Sequence, residues 1–132
     1  MPTAIIIDDS PIMRAQLRRV LTSAGFTVVA EAGSAETLLA LYAQFRPDLV
    51  SLDIVMPGRD GSVAAAELLG AHPEACVVMC TSLTSRDRIL ACQKAGVAYY
   101  LLKPFNPEHA AQMFKAAIER PRATTPAAAV AR

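Results

Sequence analysis

The 132-residue chain lacks an excess of either charge: 13 Lys+Arg against 12 Asp+Glu give a formal net charge of +1, and only 19% of residues are charged. A near-neutral body without a basic stripe excludes a dedicated nucleic-acid binder, which needs clustered lysine and arginine to displace phosphate counterions. No apolar run approaches the roughly 18–20 residues that a membrane-spanning helix needs, and no basic region precedes the short apolar stretch at the start. Membrane insertion and secretion are therefore not expected, and the chain reads as cytoplasmic. Cysteine is scarce. Cys76, Cys80 and Cys92 form no CxxC, two of them lie in an apolar strand-like segment, and no metal-ligand spacing surrounds His72 or His109. Buried thiols outside any disulfide are expected, and zinc is not. The absence of a GxxxxGK loop and of a GxGxxG turn removes the common nucleotide-binding designs.

What is present is alternation. The hydrophobic fraction of 53% overstates the core, because 25 of those residues are alanine, several of them in the last dozen positions. Strand-like runs occur at Ala4 to Asp8, Thr27 to Glu31, Asp48 to Asp53, Cys76 to Cys80 and Ala98 to Leu102. Between the first two, Met13, Leu17, Val20, Leu21 and Ala24 repeat at helical spacing, with Pro11 suited to the first turn and Gly25 to the end. Leu38, Leu41, Tyr42 and Phe45 mark a second helix, opened by Ser34 and closed before Pro47. Weaker helices are expected over about Ser62 to Ala71 and Ser85 to Ala95, and a last one from Asn106-Pro107 through Ile118, with Ala110, Met113, Phe114 and Ala117 inward. Five strands alternating with five helices indicate an α/β domain with a parallel sheet covered on both faces. That unit occupies 1–119; residues 120–132 lose periodicity, and the expectation there is a disordered tail or the start of a linker.

In open parallel sheets, ligands bind outside the carboxyl ends of the strands. Asp8 and Asp9 close the first strand here, Asp53 closes the third, Thr81 and Ser82 follow the fourth, and Lys103 follows the fifth. Singly, each is an ordinary cap or surface residue; together they line one crevice. Three converging carboxylates repel one another unless a cation sits among them. A hard, all-oxygen donor set without His or Cys favours Mg²⁺, which works alongside phosphate.

The ordered set Asp8-Asp9-Ser10, Asp53 with Met56-Pro57-Gly58-Arg59-Asp60-Gly61 after it, Thr81-Ser82, Tyr100, and Lys103-Pro104-Phe105 resembles the receiver domains of two-component response regulators, close to the chemotaxis-type single-domain members. The resemblance implies a flavodoxin-like doubly wound (βα)5 fold, a five-stranded parallel sheet in the order 2-1-3-4-5 with helices on both faces, and a phosphoacceptor signalling domain rather than a turnover enzyme. By it, Asp53 accepts a phosphoryl group from a histidine kinase or phosphotransfer protein, with Lys103 and Thr81 on the phosphoryl oxygens. Asp9, Asp53 and the backbone carbonyl of Val55 ligate Mg²⁺ or Mn²⁺ directly, Asp8 completes the metal site through water, and the Lys103–Pro104 bond is cis. Thr81 and Tyr100 form the switch, Tyr100 turning from an exposed to a buried position and exposing a changed face of helix 4, strand 5 and helix 5 to a downstream protein partner. The chain departs from some members at Val55 and Leu83, neither of which can orient an attacking water, so a long-lived phospho-form is expected. Val55 also stands where a haloacid-dehalogenase-type phosphohydrolase needs a second aspartate, which argues against that enzyme class.

Overall fold

The computed structural model describes residues 1–56, 58, 60–82, 86–119 and 129–131. The elements alternate as β1 (Thr3–Ile7), α1 (Pro11–Ser23), β2 (Thr27–Ala32), a 3-10 turn (Ala35–Thr37), α2 (Leu38–Phe45), β3 (Leu49–Leu52), α3 (Gly61–Ala71), β4 (Val77–Thr81), α4 (Arg86–Ala95), β5 (Tyr99–Leu102), α5 (Pro107–Glu119) and β6 (Ala129–Ala131). All strand pairs are parallel and run in the order β2-β1-β3-β4-β5-β6. The first five follow the doubly wound order that the sequence led us to expect.

The sixth strand differs from expectation. Residues 129–131, expected to belong to a disordered tail, pair with β5; residues 120–128 and 132 lie outside the described residues. The physical reason is that β5 would otherwise end the sheet with a row of unpaired amides and carbonyls, which templates any segment able to lie extended.

Strand alternation divides the core in two. Ala4 and Ile6 of β1 pack with Leu17, Leu21, Phe26, Leu101 and Phe114 on the α1–α5 side. Ile5 and Ile7 pack with Leu38, Leu52, Leu68 and Tyr100 toward α2, α3 and α4. Burial on both faces is why these strands read as continuous apolar runs.

Local chemistry sets the helix ends. Ser10 caps α1 by accepting from the Met13 amide at 3.2 Å, and Pro11 fills the first position. Gly25, at φ 93°, ends the helix in a left-handed turn in which the Phe26 amide reaches back to the Leu21 carbonyl at 2.9 Å. Helix α2 stops at Arg46 ahead of Pro47, and Phe45, expected on its inner face, is only partly covered at this terminus, 38% exposed. Ser85, the expected start of α4, is outside the described residues. All three cysteines are buried thiols, none in a disulfide; burial pushes Cys80 up to about 12 and Cys92 up to about 11. Among the described residues no helix is long and apolar enough to cross a membrane.

Candidate functional site

Parallel pairing brings the strand ends to one rim, and the ladders run slightly past the strands. The Asp8 amide donates to the Ala32 carbonyl at 3.0 Å, the Asp53 amide to the Ile7 carbonyl at 3.0 Å, and the Lys103 amide to the Thr81 carbonyl at 2.9 Å. Asp8, Asp53 and Lys103 each stand two residues beyond a position on the α1–α5 side of the sheet, Ile6, Ser51 and Leu101, so the period-2 alternation turns all three the same way.

The result is an acidic cluster held by one cation. Lys103 Nζ donates to Asp8 Oδ2 at 2.7 Å and to Asp53 Oδ2 at 3.2 Å. The three side chains are 14%, 1% and 9% exposed, so the pairing is largely shielded from water. Burial by itself disfavours the Lys103 ammonium, but its hydrogen bond to Asp8 and the charges of Asp53 and Asp8 outweigh this and hold it above its ordinary range. Asp53 is held above the usual carboxylate range, first by burial and then by the Asp8 charge, against the downward pull of Lys103. These directions agree with the distances: Lys103 sits closer to Asp8, and Asp53 is the less compensated carboxylate.

Backbone amides complete the rim. Ser10 donates to Asp8 Oδ1 at 2.9 Å, and Val55 donates to Asp53 Oδ1 at 3.2 Å. Arg14 Nη1 donates to the Asp8 carbonyl at 2.6 Å, tying α1 to the end of β1. Below Asp53 the chain turns sharply into α3: Asp60 caps the helix through the Ser62 amide at 2.8 Å, and the Gly61 amide donates to the Ile54 carbonyl at 2.8 Å. Asp60 Oδ2 also lies 3.5 Å from Arg88 Nη1 of α4.

Asp8, Asp9 and Asp53 offer carboxylate oxygens within 4.8 Å of one another, with Asp9 exposed and the other two buried. An octahedral Mg²⁺ with oxygens at about 2.1 Å spaces its ligands by roughly 3–4 Å, so the cluster is compatible with one such ion. Three carboxylates against one ammonium leave two negative charges uncompensated, which matches a divalent cation.

Of the residues expected from sequence, Asp8, Asp9, Asp53 and Lys103 are thus brought together. Thr81 is buried at the end of β4 on the same rim, and the Lys103–Pro104 peptide bond is cis. Pro57, Arg59 and Leu83 lie outside the described residues. Tyr100, expected to turn between an exposed and a buried position, is fully buried in this structure, its one hydroxyl proton shared between the carbonyls of Ile89 at 3.2 Å and Val97 at 3.3 Å. The ring packs in the same core cluster as Cys92 and Ile89 of α4. Sequence reasoning did not single out Ser10, Arg14 or Asp60 as supports; for Ser10 and Asp60 the readable signal is a capping residue directly before a helix.

Comparison with known proteins gives a consistent answer. A family model described as the response regulator receiver domain matches residues 4–115. The chain is 33% identical over 105 residues to the protein named CcdB of Bacillus subtilis, covering 80% of this chain and 88% of that one. It is 32% identical over 103 residues to the chemotaxis protein CheY of Thermotoga maritima, covering 78% and 86%. Among solved structures, the CheX–CheY complex with BeF3 and Mg²⁺ from Borrelia burgdorferi aligns with a TM-score of 0.81 at 27% identity, over 86% of this chain and 87% of that chain.

Proposed function

This chain belongs to the response regulator receiver domain family and has its phosphoacceptor function, and from that premise we propose that Asp53 is the accepting residue, within a receiver unit of residues 1–119. The observation that carries the assignment is the geometry around Asp53: a buried carboxylate at a strand end, 3.2 Å from the Lys103 ammonium and within one cluster of three acids. A carboxylate is a competent nucleophile for phosphoryl transfer. A new P–O bond forms at the Asp53 carboxylate as the bond to the donor breaks, a P–N bond for a phosphohistidine of a kinase or phosphotransfer protein, or a P–O bond for an acyl phosphate. The protein's share of the work is positioning and charge neutralisation. Lys103 neutralises phosphoryl oxygens, Thr81 donates its hydroxyl to another, and the amides of Ser10 and Val55 keep Asp8 and Asp53 oriented. Asp8, Asp9, Asp53 and the Val55 carbonyl would hold Mg²⁺ or Mn²⁺, which when bound supplies the charge that lets an anionic donor approach three acids.

Labelling with acetyl phosphate tests the assignment. Incorporation is expected to require Mg²⁺, to disappear with a chelator, and to disappear in Asp53→Asn. Undiminished label in that variant would place the acceptor elsewhere.

Two finer readings belong with this one. The Val55 side chain is 52% exposed, two residues past the acceptor, and offers nothing to orient water. A slow loss of the phosphoryl group is therefore expected, and Val55→Asn should shorten the lifetime several-fold; a lifetime that is short already and indifferent to the substitution counts against it. Thr81 and Tyr100 would relay the change to the face of α4, β5 and α5, where a downstream protein partner binds. The relatives named as chemotaxis proteins support a chemotaxis-type role.

A further inference from the structure

The strand β6 sits on that face. It pairs in parallel with β5 in the register Tyr99 to Ala129, Tyr100 to Val130 and Leu101 to Ala131. Its middle residue is therefore the neighbour of Tyr100, whose other side pairs with Met79 of β4. Ala131 packs against the α1–α5 core, whereas Val130 is 55% exposed. The strand has three residues, and its Val130 is mostly exposed and its Ala131 only partly buried, so these two bury little side-chain area. A few backbone hydrogen bonds then stand almost alone against the entropy of ordering the segment, and the two nearly cancel. What favours pairing is tethering: nine residues, 120–128, separate β6 from the end of α5, which gives the segment a high effective concentration at the β5 edge.

We propose that residues 129–131 are a tethered competitor that occupies a strand-addition site on the β5 edge, and that a protein partner enters this site by laying an extended, small or β-branched segment parallel to β5 in its place. Main-chain hydrogen bonds supply affinity in this mode and alternate side chains supply selectivity. A partner segment with a larger apolar residue opposite Tyr100 would cover more surface than Val130 does, and so displace it. The inference deepens the reading of the α4, β5 and α5 face but rests on the strand pairing alone, so Asp53 labelling serves as an independent control.

The test uses the full chain with Val130→Pro and Ala131→Pro combined. Successive amides of a strand point to opposite sides, so two adjacent prolines remove an amide aimed at β5 whichever register applies. Hydrogen exchange at Tyr99, Tyr100 and Leu101 should show at least one amide protected in the parent chain and exchanging several-fold faster in the variant. At millimolar concentration, comparable to that of the tethered segment, a fluorescent peptide of sequence Ala-Ala-Ala-Val-Ala-Arg should bind the variant more than the parent. Unchanged Asp53 labelling and thermal midpoint show that the variant is folded; loss of labelling in both proteins would overturn the acceptor assignment without touching this one. Equal exchange in parent and variant, or equal peptide binding, overturns the proposal. So does protection that appears only as the chain is concentrated, which would make the strand a link between two copies.

Discussion

Gly61→Ala is expected to reduce Asp53 labelling by about 100-fold and to lower stability by about 3 kcal/mol or more. A β-carbon placed on Gly61 would lie 1.9 Å from the Asp53 carbonyl oxygen and 2.8 Å from both the Asp53 carbonyl carbon and the Ile54 Cα. These are backbone atoms, so no side chain can swing aside to make room. The segment is also pinned from both directions, by the Gly61 amide on the Ile54 carbonyl and by the Asp60 cap on Ser62. Relief therefore requires α3 and the end of β3 to separate, and that moves the acceptor. The requirement is for space rather than for an unusual backbone angle. Gly70, also in α3, has open surroundings, and Gly70→Ala should stabilise the protein by about 0.5–1 kcal/mol. Denaturation midpoints and labelling rates of the two variants decide the matter; a Gly61→Ala protein that matches the parent in both would show that the close approach is not required.

Lys103→Met should have the second large effect, and one that depends on conditions. Removing the ammonium leaves Asp8 and Asp53 buried without their shared cation, and breaking such a pair costs about 3–5 kcal/mol before the carboxylates take up protons. Asp53 already sits above its ordinary value of 3.8, and losing Lys103 removes the largest downward influence on it. With the folded-state value raised above the unfolded one, the native state binds more protons in the interval between them. Stability is then best preserved below 3.8 and declines as pH rises through the folded value. The variant's deficit should accordingly be small in acid and largest at neutral pH. Millimolar Mg²⁺ should restore much of it, because a divalent cation compensates the same carboxylates. Labelling should nevertheless fall by about 100-fold or more, since no side chain then meets the phosphoryl oxygens from that side. Thermal midpoints indifferent to both pH and Mg²⁺ would mean that Lys103 does not hold the acids together.

Much of this was readable beforehand for a definite reason. A parallel sheet with crossover helices sends every strand end to one side, so residues as far apart as Asp8, Asp53 and Lys103 meet once their strands are recognised. The runs of β1, β3, β4 and β5 were legible because both faces are buried. Other features depend on facts that a one-dimensional pattern does not carry. Asp8 and Asp9 are neighbours of identical chemistry, yet one is buried and the other exposed, which is decided by how the chain leaves β1. Lys103 prefers Asp8 to Asp53 by half an ångström, a matter of side-chain reach. Phe45 fits a helical stripe but falls on the last turn, where the helix has run out of core to cover. A three-residue strand such as β6 shows no period at all, and its formation is dictated by the open edge beside it.

The buried sulfur atoms carry a consequence of a different kind. Cys80 is fully enclosed at the top of β4, close to the acids and Lys103, and at about 12 its thiol contributes almost no thiolate at neutral pH. Cys92 is equally enclosed, at about 11, and Cys76 is covered beside α5. Glutathione or a maleimide dye thus finds no cysteine thiol at the surface. The message written on the carboxylate is insulated from thiol chemistry, and a single cysteine introduced on an exposed helix could be tagged without first removing the native three.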